Sequence, residues 1–320
     1  MTVVLFIAKR LAAMVLLLGV LSFLVFELLA LSPGTPVQTL VGSRRPTPEL
    51  VAALTAKYHL DDPFFVQYWH WLTGIARLDF GRSISIQTDT PVLHIIGDRM
   101  ALSSQLAAYT LVLVLLVGIP LGTLAGIRRG RGVDRGISFL ATFGISAPAF
   151  VLSTALLYVF GVGLTWFPVY GIGSGVAQRI THLTLPAVAL ATFLSAIVIR
   201  QTRAATLTVT QQDYITFARI RGLNPARILV RYALRNSALP VVTSAGILLI
   251  TALSAGVFVE AVFSLPGVGS LLLQAVTNKD IPLVQGLAML LGVIVVMVNL
   301  LVDLLSLALD PRTRFAARGA

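Results

Sequence analysis

The chain carries 13 acids and four histidines but no cysteine. Without Cys there is no thiol nucleophile, no thiolate-bound metal and no disulfide. His59, His70, His94 and His182 form no His-Glu-x-x-His pair and no other ligand spacing, so they read as surface or interfacial side chains and no metal site is assigned. Glu27, Glu260 and Asp303 are the acids inside long apolar stretches. Ion-coupled carriers place such acids near the membrane midplane. These three lie near the ends of their stretches, from which each could reach water or a headgroup. A nucleotide-binding P-loop needs Gly-Lys-Ser/Thr. Lys9, Lys57 and Lys279, the only lysines, do not follow glycine, so the chain cannot carry that site. There is also no Gly-x-Ser-x-Gly and no pair of midplane carboxylates. No catalytic residue is assigned.

One polar stretch, Gln211–Pro240, is richer in information. Asp213 can cap a short helix on which Tyr214, Phe217, Ala218 and Arg221 fall at i, i+3, i+4 and i+7, and so on one face. Gly222 suits the stop, because it adopts the left-handed conformation freely. Asn224 can cap a second helix with Pro225 at its first position. An aromatic and small-residue face of this kind needs cover. Two covers fit the spacing: the bilayer surface, against an interfacial helix, or a groove in another protein.

The elements that position this segment follow from composition. Of 320 residues, 57% are hydrophobic and 12% are charged, against about 25% charged in a soluble domain. Mean hydropathy is +0.90. These values exclude a soluble globule, a disordered chain and a disulfide scaffold. A bilayer core about 30 Å thick takes about 20 apolar residues per helix. Six stretches qualify: Leu11–Leu31, Leu102–Gly126, Ile137–Gly161, Leu183–Ile199, Pro240–Phe263 and Pro282–Ala308. The fourth is short, and its inner end is expected to continue as helix past Arg200. With both termini in the cytoplasm, 16 of the 24 Lys and Arg fall inside, and six of the rest lie in one long outer segment, where the positive-inside rule is weak. The net charge of +11 therefore reads as topology and an anionic leaflet, with membrane lipid and not nucleic acid as the partner.

The divisions that result are 1–31, the inner N-terminus and first span; 32–100, an extracytoplasmic segment; 101–308, spans two to six with an inner loop over 200–239; and 309–320, an inner tail. In the outer segment, Thr47-Pro48-Glu49 opens a helix toward Tyr58. Phe64, Phe65, Tyr68, Trp69 and Trp71 mark a second, aromatic piece suited to the membrane boundary. Either a cap on the outer face or a docking surface fits. Gly118, Gly122 and Gly126, four residues apart in span two, allow close helix packing. Thr243, Ser244, Thr251 and Ser254 on span five are candidates for a substrate pathway, or else hydrogen-bond within and between helices.

The pattern Asp213-Tyr-Ile-x-x-Ala218-Arg-x-Arg221-Gly222, followed by Arg231-Tyr-Ala-Leu-Arg-Asn and Leu239-Pro240, resembles the EAA loop of binding-protein-dependent ABC transporter permeases, in particular the dipeptide/oligopeptide permease B branch. Thr216, Phe217 and Ala218 stand at the Glu-Ala-Ala place, and only Ala218 matches. Leu78-Asp-Phe-Gly-Arg-Ser83, Gly118-Ile-Pro-Leu-Gly122, Glu260-Ala-Val-Phe-Ser-Leu-Pro-Gly-Val-Gly269, Pro282-Leu-Val-Gln-Gly286, Asn299–Asp303 and Asp310-Pro-Arg312 are also similar, in order, across nearly the whole chain.

The resemblance implies an all-α membrane protein of six transmembrane helices with the type I ABC importer permease fold, in a bacterial or archaeal cell membrane. It implies a non-catalytic subunit with no cofactor of its own, paired with a second homologous permease subunit. Two cytoplasmic ATPases would hold ATP and Mg2+, and an extracytoplasmic solute-binding protein would deliver di- or oligopeptides. Asp213, Tyr214, Phe217, Ala218, Arg221 and Gly222 would then form the ATPase-coupling element. The alternative expectation is an ion-coupled secondary transporter or a channel.

Overall fold

The computed structural model describes residues 3–30, 41, 47–224 and 235–309. Eleven helices run through them: α1 Val3–Ala30, α2 Pro48–Tyr58, α3 Phe64–Ala76, α4 Val92–Ile127, α5 Gly132–Ser146, α6 Ala149–Leu156, α7 Gly175–Thr210, α8 Asp213–Ile220, α9 Arg235–Val262, α10 Val268–Thr277 and α11 Ile281–Leu309. A π-turn, Leu157–Gly163, extends α6.

Among the described residues, four helices are long and apolar enough to cross a membrane, within α1, α4, α7 and α11. The expected third span, Ile137–Gly161, is instead two helical pieces bent by 102°. The cause is Pro148. A residue before proline is driven out of the helical region, and Ala147 is extended, with φ −88° and ψ 118°. Counted as one broken span, the pair makes five; the expected fifth stretch lies in α9, whose described apolar part is the shorter run Gly246–Val262. As expected, α7 continues as helix beyond Arg200, to Thr210.

The chain forms two compact units. The first is built from residues up to Leu102 and from Pro266–Leu300. Its buried core includes Val92, Ile95, Ile96, Leu271, Leu283 and Leu287. Of the aromatics foreseen on α3, Phe64, Tyr68 and Trp71 turn onto α1, where Phe26 meets Phe64 and Tyr68 edge-on with ring centroids 5.5 Å apart, while Phe65 and Trp69 are exposed. Ser22 and the Tyr68 hydroxyl share a 2.7 Å hydrogen bond. The Gln285 amide donates to the Val25 carbonyl at 3.1 Å, which ties α11 to α1. Asp280, fully buried, precedes α11. Its carboxylate accepts from the Ser83 hydroxyl and from the backbone N–H of Ile84, Ser85 and Ile86. This anchors the 83–86 loop, whose own peptide donors have no helix or sheet to satisfy them.

The second unit contains Ser103–Leu265 and the segment from Leu301. Here the glycine row of α4 lies against α7. A Cβ on Gly118 would sit 2.7 Å from the Val198 side chain. One on Gly122 would sit 2.7 Å from the Ile199 carbonyl, and one on Gly126 2.7 Å from Thr206 Cβ. The row is therefore a packing surface, as its spacing implied. Val114, Leu194, Val198 and Leu248 are buried together beside it.

Candidate functional site: a short helix at the end of a long one

The long helix α7 delivers the chain to the site and is held there by charge. Arg203, near its end, donates to Asp134 through Nε at 2.6 Å and Nη2 at 2.9 Å, a two-pronged pair. Asp134 sits in the first turn of α5. It also accepts from the Gly130 N–H at 2.9 Å and the Ser138 hydroxyl at 3.4 Å. Its side chain is only 5% exposed, and that of Arg203 is 32% exposed.

After an interval of two residues beyond α7, Gln211 and Gln212, the chain restarts as α8. The Gln212 N–H returns to the Val209 carbonyl, and the Gln212 carbonyl accepts from Ile215 and Thr216. Asp213 is thus the first residue inside the helix, where a negative charge suits the N-terminal dipole. At the other end Gly222 has φ +70°. The Leu223 N–H reaches back to the Ala218 carbonyl at 3.2 Å, the bond of a Schellman C-cap. Leu223 also packs against Val209, Ile215 and Ala218, which completes that motif's hydrophobic contact. The glycine stop read from the sequence therefore does what its conformation allows.

The shared face inferred for Tyr214, Phe217, Ala218 and Arg221 divides in the structure. Ala218 is 5% exposed and turns inward with Ile215. Asp213, Tyr214, Phe217 and Arg221 are exposed, with Phe217 at 65% and Ile220, not singled out from the sequence, at 76%. Ala218 is small because the helix lies close on the end of α7. The outward apolar surface is Phe217 and Ile220. Residues 225–234, which hold most of the expected second helix, lie outside the described residues.

The candidate pathway residues lie along α9. Thr251 and Ser254 donate to the carbonyls of Ile247 and Ile250 one turn back, at 2.7 and 3.1 Å. Their hydroxyls are thereby satisfied within the helix. Ser244 is half-buried, and the side chain of Thr243 lies outside the described residues. Glu260 corrects an expectation. It does not reach water but is 3% exposed and accepts a 2.6 Å bond from the Ser103 hydroxyl of α4.

Sequence reasoning passed over Asp134. The signal was there: it is the one acid among Arg128, Arg129, Arg131 and Arg135. It offered no distance to Arg203, which is 69 positions away.

Residues 118–315 match the family described as "Binding-protein-dependent transport system inner membrane component", and residues 3–107 match its N-terminal counterpart. The chain belongs to this permease family. The permease is 35% identical over 315 residues to the dipeptide transport system permease protein DppB of Bacillus subtilis, covering 98% of this chain and 99% of that one. It is 34% identical to a probable peptide ABC transporter permease protein, y4tP, of Sinorhizobium fredii, covering 97% and 99%. The oligopeptide transport system permease protein AppB of B. subtilis is also 34% identical, with 97% and 98% covered. Among solved structures, the MetNI methionine ABC transporter in an inward-facing conformation aligns with TM-score 0.56 and 19% identity, over 68% of this chain and 97% of that one. An amino acid ABC transporter aligns with TM-score 0.52 and 16% identity, over 67% and 94%. The permease is therefore a multi-pass, all-α membrane protein with the type I ABC importer permease fold, and a membrane subunit of its transport family.

Proposed function

We propose that this permease is the transmembrane subunit of an ATP-driven importer of di- or oligopeptides, and that α8 couples it to a cytoplasmic ATPase. The observation that carries the reading is the division of α8 into two faces. Ile215 and Ala218 fix it to the end of α7, while Phe217 and Ile220 project outward. A helix held rigidly on a membrane-spanning rod, with an apolar outer face, suits a groove in a partner. Movement of that partner is transmitted because the contact is stiff. The chain lacks a P-loop, so the ATP and Mg2+ belong to two ATPase subunits. A second homologous permease subunit completes the pathway, and an extracytoplasmic solute-binding protein presents the peptide. The peptide assignment rests on the names of DppB, AppB and y4tP. On this reading both termini are cytoplasmic, residues 32–100 face outward, and Thr243, Ser244, Thr251 and Ser254 remain the pathway candidates on α9.

The absence of Cys supplies a direct experiment. Phe217→Cys introduces a single thiol. With the ATPase co-expressed, that thiol should cross-link to an engineered cysteine in the ATPase cleft and be shielded from water-soluble maleimide. Labelling by a lipid-phase reagent without any ATPase cross-link would show instead an interfacial helix and refute the coupling role. In proteoliposomes, Phe217→Ala should lower peptide transported per ATP hydrolysed, and an unchanged ratio would count against it.

A further inference from the structure

The corner between α2 and α3 gathers three side chains from a stretch of twelve residues. His59 follows the end of α2, Asp62 lies in the connection, and His70 is on α3. Their ligand atoms all lie within 4.8 Å of one another. His59 Nδ1 is 3.2 Å from Asp62 Oδ2. The His59 and His70 rings stack, 4.2 Å between centroids and 9° from parallel.

The corner is built, not incidental. His59 has φ +52°, in the left-handed region that residues with a Cβ seldom adopt. The Asp62 N–H closes a turn onto the His59 carbonyl at 3.0 Å. The Gln67 amide donates to the carbonyls of Leu60 and Asp62, at 3.2 and 2.8 Å, and so fixes the connection against α3. The two imidazoles are thus presented by a braced turn and a helix.

We propose that His59, Asp62 and His70 bind a divalent transition-metal ion, with Zn2+ the best match. Two imidazoles and one carboxylate form a borderline, mixed N/O set of the kind Zn2+ takes, with water completing four-coordination. Bonds of about 2.0–2.1 Å place tetrahedral ligand atoms about 3.3–3.4 Å apart. The His59–Asp62 separation of 3.2 Å already meets this, and the His70 ring turns out of its stack on His59 to bring its nitrogen in from within 4.8 Å. Both His59 and Asp62 are exposed enough, at 45% and 40% of their side chains, for an ion to enter from solvent. The bound ion would clip α2 to α3. It would also place positive charge at the edge of a cavity of about 440 Å3 that His59 and His70 line with Gln67, Trp71, Arg77 and Asp79. The inference stands on these side chains and does not rest on the transport reading.

The test uses the full chain in lipid nanodiscs, purified without a polyhistidine tag. Zn2+ titration should give one ion per chain, and Co2+ should show the visible bands of a four-coordinate site. Loss of an outer-shell partner already weakens metal sites about 10–100-fold, so His59→Ala and His70→Ala should each weaken Zn2+ binding by at least about tenfold. His94→Ala should leave binding unchanged, because among the described residues His94 belongs to no group of three such ligands and pairs with the Asp98 carboxylate 3.8 Å away. Zn2+ should raise the unfolding midpoint of the wild type and not of the double variant H59A/H70A. If the histidine variants do not fold, Asp62→Asn at an exposed position carries the same test. Failure of the wild type to bind Zn2+, or equal binding by wild type and the ligand variants, overturns the proposal.

Discussion

Removing one partner of the Asp134–Arg203 pair should destabilise the second unit, by an amount that depends on which partner goes. Arg203→Ala leaves a carboxylate that is 5% exposed with only the Gly130 N–H and the Ser138 hydroxyl for company. Two donors remain and water enters where the guanidinium stood, so the loss falls at the low end of the about 3–5 kcal/mol that breaking a buried pair costs. Asp134→Ala leaves a guanidinium that is 32% exposed. Water can reach it in part, so the cost falls to about 2–3 kcal/mol. Because both losses count the same interaction, the double variant Asp134→Ala/Arg203→Ala should lose well under their sum. The measurement is a double-mutant cycle on reversible denaturation in mixed micelles, with helicity as the signal. Two outcomes would refute the reasoning: singles that add in the double to within about 0.5 kcal/mol, or a milder effect from Arg203→Ala than from Asp134→Ala. If α7 transmits force to α8, the same single variants should also lower transport per ATP, since Arg203 holds the end of the helix that carries α8.

The glycine row offers a contrast between positions of one residue type. Gly122→Ala puts its Cβ 2.7 Å from a backbone carbonyl that cannot swing away, while Gly19 has nothing within 4 Å. Overpacking costs about 1–3 kcal/mol, so Gly122→Ala should lower the yield of monodisperse protein on size exclusion and Gly19→Ala should not; equal behaviour would contradict the packing. Asp280→Asn replaces an acceptor of several N–H groups by one that also carries donors. It should cost about 1–3 kcal/mol and open the 83–86 loop to limited proteolysis, and an unchanged digestion pattern would argue against the anchor. Glu260→Gln keeps the shape and an acceptor for Ser103 and should be near neutral, whereas Glu260→Ala leaves the Ser103 hydroxyl without that acceptor and should lower the denaturation midpoint. Gly222→Asn should be milder than Gly222→Val in transport per ATP, because Asn tolerates the left-handed region and a β-branched residue does not.

Much of the helical framework was legible because its causes are local. Apolar runs of membrane length, Thr47 before Pro48, the aromatic run on α3 and the stop at Gly222 each depend on a few adjacent residues. The bend in the third stretch escapes hydropathy for a reason that is also local: hydropathy is blind to backbone geometry, and Pro148 bends the chain without lowering the apolar content. The site on α8 was read from spacing, which identifies neighbours on a helix but not the side on which α7 lies. Ala218 was therefore grouped with the exposed residues, and Ile220 was overlooked. Glu260 was placed near water by its distance from the end of an apolar run, and only its contact with Ser103 corrects this.

By itself the sequence determined a membrane protein, its long apolar helices and the family pattern, because hydrophobic length, turn chemistry and motif order are properties of the chain read along its length. The tertiary structure alone decided which side chains meet. Asp134 and Arg203, Asp280 and the 83–86 loop, and Glu260 and Ser103 are pairings across folds in the chain. A buried charge or hydroxyl takes whichever partner packing brings within hydrogen-bond reach, and that distance is set by the assembled helices, not by separation in sequence.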